Sequence, residues 1–166
     1  MNSSKTIKVC FVCLGNICRS PLAQGVFEYL VAQKGRQGKI QISSAGTGDW
    51  HVGKPPDTRM QATAKRRGID MKSRARQFKP VDFDQFDLVL AMDRSNRNDL
   101  KKMCLSPAAE KKLRLFRSFD PECQGEEDVP DPYYGGSDGF EDVFDIVHRT
   151  CPEILKYIET ELIPDP

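Results

Sequence analysis

The stretch V-C-F-V-C-L-G-N-I-C-R-S-P-L-A, Val9 to Ala23, sets Cys13, Gly15, Asn16, Cys18 and Arg19 between an apolar run and the start of a helix. Ile7 to Val12 is β-branched and aromatic apart from Lys8 and Cys10, which predicts a strand buried on both faces. Ser20 followed by Pro21 reads as an N-cap with proline at the first helical position, and Leu22, Val26, Phe27, Leu30 and Val31 recur at helical spacing up to Gly35. A strand therefore feeds a helix through a short loop crowded with reactive and positively charged groups.

Further along, the pattern alternates. Lys39 to Ser44 reads as a second strand, followed by the loop T-G-D-W-H-V-G-K-P-P and a helix from Asp57 to Arg67 closed by Gly68. Phe86 to Met92 is a third strand, Ser95 to Met103 a helix, and Leu113 to Phe116 a fourth strand. The segment Arg117 to Gly139 is rich in Asp, Glu, Pro and Gly, and loops of that length in compact domains tend to be functional or disordered. Phe140, Val143, Phe144, Val147, Ile154, Leu155, Ile158 and Leu162 then trace one helical face, in which Pro152 predicts a kink or break near Thr150. Strands alternating with helices imply βαβ units, right-handed crossovers and a parallel sheet covered on both faces, read here as one domain over residues 1–166. Ligands in such sheets sit beyond the carboxyl ends of the strands, where Cys13, Met92-Asp93 and the acidic loop converge.

Composition narrows the chemistry. With 25 basic and 24 acidic residues the net charge is +1, so no global field recruits nucleic acid or anionic lipid, and an anion site has to be local. Lys65 to Lys79 is basic, to be read as a solvated face or as a rim near an anion; Asp120 to Asp142 is acidic. No apolar run reaches the roughly 20 residues of a membrane span, and Met1 to Thr6 has no signal-peptide core, which points to the cytosol. Six cysteines, at 10, 13, 18, 104, 123 and 151, read as free thiols. His51 and His148 stand alone, so no second ligand pair completes a zinc site, and D-F-D-Q-F-D at 82–87 lacks the glycine and terminal Glu of a calcium loop. No metal or other cofactor is expected, and the sequence sets no oligomeric state.

A tight loop entering a helix N-terminus can turn the amides of Leu14, Gly15, Asn16, Ile17, Cys18 and Arg19 inward as an anion cradle. Gly15 and Asn16 tolerate the positive φ of such a curl, and Arg19 adds a fork that matches two phosphate oxygens. The loop lacks the lysine of a nucleotide P-loop and has a thiol at its floor. The positive field favours the thiolate of Cys13, in line with a bound phosphorus. Cleaving a phosphoester also needs a proton donor, and a carboxyl of the acidic loop can supply it; Asp120, Glu122, Glu126, Glu127, Asp128, Asp131 and Asp138 are the candidates. Trp50, Tyr133 and Tyr134 can wall a phenyl ring above the cradle.

The motifs C-L-G-N-I-C-R-S (13–20), S-A-G-T (44–47), D-W-H-V-G (49–53), R-A-R-Q (74–77), M-D-R-S-N (92–96) and D-P-Y-Y-G (131–135) together resemble the low-molecular-weight protein tyrosine phosphatases over nearly the whole chain. The resemblance implies a three-layer α/β fold, a four-stranded parallel sheet in order 2-1-3-4. It implies Cys13 as nucleophile, Arg19 as transition-state clamp, Ser20 as hydrogen-bond donor to the Cys13 sulfur and Asp131 as general acid. Substrates would be phosphotyrosyl proteins or small aryl phosphates, with phosphate a product inhibitor. A reversible Cys13–Cys18 disulfide is expected under peroxide. Asp93, Ser95 and Asn96 are expected to support Asn16 and the loop, and Ser73 stands where animal relatives carry a histidine that helps hold that asparagine. Arginine phosphatases of the same fold carry threonine in place of Ile17, and an apolar side chain there leaves the donors of a phosphoguanidinium unpaired. Thioredoxin-linked arsenate reductases share the C-x5-R cradle but need two neighbouring downstream cysteines, and only Cys104 lies in that region. A non-catalytic phosphate-binding module would have lost Cys13, Arg19 or Asp131.

Overall fold

The computed structural model describes residues 5–123, 128–136 and 138–163. Ile7–Cys13 forms strand β1, which leads through the loop into helix α1, Arg19–Gln33. Strand β2 (Ile40–Gly46), helix α2 (Thr58–Arg66), helix α3 (Asp82–Gln85), strand β3 (Leu88–Ala91), helices α4 (Arg94–Met103) and α5 (Pro107–Lys112) and strand β4 (Leu113–Leu115) follow. Helix α6 spans Asp138–Tyr157 and widens into a π turn at Ile158–Leu162.

The sheet is all-parallel, as the alternation of strands and helices implied, and has the order β2-β1-β3-β4 that the resemblance implied. Strand β1 pairs on both edges, so its side chains bury above and below. Its odd residues Ile7, Val9, Phe11 and Cys13 pack with Leu22, Phe27, Met60 and Phe144, from α1, α2 and α6. Its even residues Cys10 and Val12 pack with Phe83, Leu100 and Ala109, from α3, α4 and α5. Period-2 alternation thus builds two cores on one sheet and hence three layers. Burial pushes the Cys10 thiol up to about 12 and raises that of Cys151 strongly as well, so both behave as small hydrophobes.

Several boundaries depart from the sequence reading. Helix α1 begins at Arg19, its first bond running from Leu22 N–H to Cys18 O at 3.2 Å, and Ser20 does not cap it. The Ser20 hydroxyl is engaged by the loop instead. The break expected near Thr150 does not occur: α6 is continuous through Pro152, because losing one intrahelical bond costs less than exposing Val147, Cys151, Ile154 and Leu155, all buried on one face. The acidic segment is not structureless where described, since Phe116–Phe119 and Pro132–Tyr134 form 3-10 turns. The basic stretch is a solvated, ion-paired face: Arg66 and Arg67 meet Glu141 and Asp145, and Arg76 meets Asp82.

Among the described residues no helix is long and apolar enough to cross a membrane.

Candidate active site

The loop between β1 and α1 lies where the chain turns from β2 on one side of β1 to β3 on the other, the point at which an open parallel sheet leaves a crevice. Its carbonyls are taken from outside: Thr47 N–H donates to Cys13 O and Gly48 N–H to Leu14 O, both at 2.9 Å, and Asp57 N–H donates to Ile17 O at 2.8 Å. In a planar trans peptide the following N–H points the opposite way, so the amides of Leu14, Gly15 and Cys18 face away from those partners. The first amides of α1 likewise have no intrahelical acceptor. Of the two residues expected to accept positive φ, only Asn16 takes it, at 57°. Gly15 matters for space, since a Cβ there would come within 3.0 Å of the His51 ring.

Cys13 Sγ sits at the floor, 3% exposed as a residue, with Ser20 Oγ at 2.9 Å and the Asn16 amide donating to it at 3.3 Å. Arg19, also 3% exposed, donates from Nη1 to Asp93 Oδ2 at 2.6 Å and to Val129 O at 2.9 Å. Its Nη2 lies 3.5 Å from Asp131 Oδ2. Burial works against the charge of this guanidinium, but the neighbouring Cys13 sulfur, the Asp93 hydrogen bond and the charges of Asp93 and Asp131 outweigh it and hold Arg19 above its ordinary value. The fork is held as a cation by these three partners.

Asp131 is positioned by its own turn. Its Oδ1 accepts from Tyr133 N–H at 3.0 Å, leaving Oδ2 toward Arg19 and the cavity. The segment before it is docked by Val129 N–H on Met92 O at 2.8 Å and by Arg94, whose backbone and guanidinium hold Asp128 at 2.8 to 3.1 Å. Of the competing carboxylates, Asp120 is consumed by Arg117 and Arg149, and Asp128 by Arg94. Glu126 and Glu127 lie outside the described residues.

A cavity of about 380 Å³ unites these groups, lined by Cys13, Leu14, Ile17, Arg19, Asp131 and the aromatic rim of Trp50, His51 and Tyr133. Trp50 is 67% exposed and its ring lies against Gly48, where a Cβ would come within 1.8 Å of it. The side chain of Tyr134 lies outside the described residues. His51 was missed in the sequence because a lone histidine carries no spacing signal.

The support of the loop differs from the expected one. Asn16 Nδ2 donates to Ser20 Oγ at 2.8 Å and to Ser44 Oγ at 3.0 Å, and its Oδ1 accepts from Arg76 N–H at 3.0 Å. With those atoms engaged, no bond joins Asn16 to Ser73, Asp93, Ser95 or Asn96. Asp93 serves Arg19 and caps α4 through Asn96 N–H at 2.7 Å, while Ser95 is exposed to solvent. Ser44 and the Arg76 backbone do the holding; both fall in quoted motifs, S-A-G-T and R-A-R-Q, but no periodicity marks a contact made across 28 or 60 residues.

A parallel α/β sheet with a floor cysteine and a buried arginine on its switch-point loop defines the class of α/β proteins built around a cysteine–arginine loop at the strand ends. The profile of the low molecular weight phosphotyrosine protein phosphatases matches residues 8–163. The low molecular weight protein-tyrosine-phosphatase of Streptomyces coelicolor is 40% identical over 158 residues, 95% of this chain and 96% of its own. A solved protein tyrosine phosphatase of Entamoeba histolytica superposes with a TM-score of 0.89 at 36% identity, covering 93% of this chain and 98% of that one. A Drosophila arginine phosphatase superposes with a TM-score of 0.85 at 32% identity, covering 93% and 99%. The chain belongs to the low molecular weight phosphotyrosine protein phosphatase family.

Proposed function

We propose that the protein hydrolyses phosphotyrosine and small aryl phosphates through a phosphocysteine on Cys13. The observation that carries this is the convergence on one cavity of the Cys13 sulfur, the buried Arg19 fork and an Asp131 carboxyl oxygen. The phosphoryl group enters the cradle with its equatorial oxygens on the loop amides and Arg19, which neutralise charge as it spreads in the transition state. Cys13 attacks phosphorus as the bond to the phenolic oxygen breaks, and Asp131 delivers a proton to that oxygen. In the second step Asp131 takes a proton from water, the water oxygen attacks phosphorus, and the sulfur leaves, supported by Ser20 Oγ at 2.9 Å. Arg19 has to release part of its present pairing to Asp93 and Asp131 when phosphate arrives, so the two carboxylates hold it charged and aimed between turnovers.

The cavity supports an aromatic substrate. Trp50 and Tyr133 form its rim and Ile17 contributes an apolar side chain, which leaves a phosphoguanidinium without partners for its donors. Fold likeness does not discriminate the two substrates, as the arginine phosphatase neighbour attests; Ile17 is the feature favouring tyrosine.

Initial rates on phosphotyrosyl, phosphoarginyl and phosphoseryl peptides in excess EDTA, with Cys13→Ser alongside, test the reading. Preference for phosphotyrosine, insensitivity to EDTA and loss in Cys13→Ser are expected. Preference for phosphoarginine overturns the substrate assignment, and activity that survives Cys13→Ser overturns the mechanism.

A further inference from the structure

We propose that Gln24, on α1 and outside the cavity, is a positioning residue that fixes the direction of the hydrogen-bond chain ending on the Cys13 sulfur. The proposal rests on the reading of Cys13 as the nucleophile.

The buried Ser44 hydroxyl lies 2.6 Å from Gln24 Oε1 and 3.0 Å from Asn16 Nδ2. An amide oxygen only accepts and an amide nitrogen only donates, so the single Ser44 proton goes to Gln24 and its lone pairs receive Asn16. Arg76 N–H fixes the flip of the Asn16 amide by donating to Oδ1, which commits Nδ2 to Ser44 and Ser20. Ser20 accepts that bond and has one proton left, directed to Cys13 Sγ at 2.9 Å or to Ala45 O at the longer 3.3 Å. Every donor between the helix and Ser20 thus has one assignment, and only the Ser20 proton keeps a choice of acceptor, provided that Gln24 presents oxygen rather than nitrogen to Ser44.

The far side of Gln24 supplies that condition. Glu28 lies one helical turn on, where Gln24 and Lys72 favour its charged form, so its carboxyl is the acceptor on offer to the Gln24 amide nitrogen. Partial burial raises Glu28, while the Gln24 hydrogen bond and Lys72 favour its charged form. A carboxylate takes the N–H and leaves Oε1 for Ser44. Without the Gln24 acceptor the Ser44 proton has no partner in a buried site, the hydroxyl rotates, and Asn16 loses one of the bonds that hold it at positive φ. Ser20 is then free to turn toward Ala45 O. The support that Ser73 was expected to give to Asn16 thus comes from the helix instead.

The test compares Gln24→Met, which keeps length but removes the acceptor, with Gln24→Glu, which keeps an acceptor oxygen. In the full chain, kcat and KM on an aryl phosphate, the alkylation rate of Cys13 by iodoacetate and the melting temperature are measured at neutral pH. Gln24→Met should lose roughly fivefold to tenfold in kcat, the worth of one net hydrogen bond, with KM and melting temperature close to wild type. Gln24→Glu should recover most of that loss, and adding Gln24→Met to Ser44→Ala should cost nothing beyond Ser44→Ala alone. A Gln24→Met kcat within about twofold of wild type, equal losses in both variants, or additive losses overturn the proposal. If the wild type turns over no aryl phosphate, the phosphatase reading fails by itself. The alkylation rate still decides the positioning role, by slowing in Gln24→Met and recovering in Gln24→Glu or by staying the same in all three.

Discussion

Gly46 ends β2 against the cradle, and a Cβ built on it would sit 2.7 Å from Leu14 O and 3.2 Å from Asn16 N, both backbone atoms with little room to yield. Gly46→Ala should therefore push the loop off its geometry, costing about 1–3 kcal/mol in urea unfolding and at least roughly tenfold in kcat/KM on an aryl phosphate. An alanine that left both unchanged would mean the strand end yields more easily than its backbone contacts imply. Cys18 is the other residue whose role turns on its surroundings. Burial, followed by the nearby Asp57, Cys13 and Asp131 groups, raises its thiol far above the ordinary range, so at neutral pH it stays protonated beside Cys13. If Cys13 and Cys18 form a protective pair, Cys18→Ser should retain activity under reducing conditions but, after a peroxide pulse, should not recover with dithiothreitol as the wild type does. Equal recovery in both would remove the redox role.

At the scale of elements, the segment carrying Asp131 is held by charge on both sides of residues 124–127. Asp120, with its side chain fully buried, accepts from Arg149 at 2.8 and 3.0 Å, from Arg117 at 3.0 Å and from Glu122 N–H at 2.9 Å, which ties the segment to α6. Burial pushes this carboxyl up, but the Arg149 and Arg117 bonds outweigh it and hold it below the usual carboxylate range. A carboxylate depressed in the folded state stabilises fully above its unfolded value and loses that contribution as pH falls through the lower, folded value. Asp120→Asn should therefore cost about 3 kcal/mol at neutral pH, and the difference from wild type should shrink only as the solution is taken below about pH 4. Chemical denaturation of both proteins across that range checks the sign; a gap that widened on acidification would exclude it. The sequence offered Asp120 only as one acidic residue among many, because ion pairing with Arg149 across 29 positions follows no local pattern.

Across the whole molecule, the sheet order β2-β1-β3-β4 puts the cysteine loop at the switch point, with the ends of β2 and β3 supplying Ser44, Gly46, Met92 and Asp93 around it. A cradle assembled from so many elements couples anion binding to global stability. Inorganic phosphate at ~100 times its Kd should add about 2.7 kcal/mol, or roughly 5–10 °C in Tm for a chain of this length, and Arg19→Lys should abolish most of that shift. A Tm indifferent to phosphate would show that the cradle does not bind the product. The alternating strands and helices, the two-faced burial of β1, and the pairing of the cysteine with the arginine were legible because each is written in local spacing, apolar periods of 2 and 3.6 and a C-x5-R-S-P loop that joins them, whereas Asp131 stood out from the other loop carboxylates only through the resemblance carried by D-P-Y-Y-G. What the linear order could not carry is how the loop is kept in shape. Ser44 and Arg76 N–H hold Asn16, Val129 O holds Arg19 and Gln24 holds Ser44 over separations of 20 to 110 residues, and hydrogen bonds of that kind are fixed only when packed layers bring distant segments to within 3 Å.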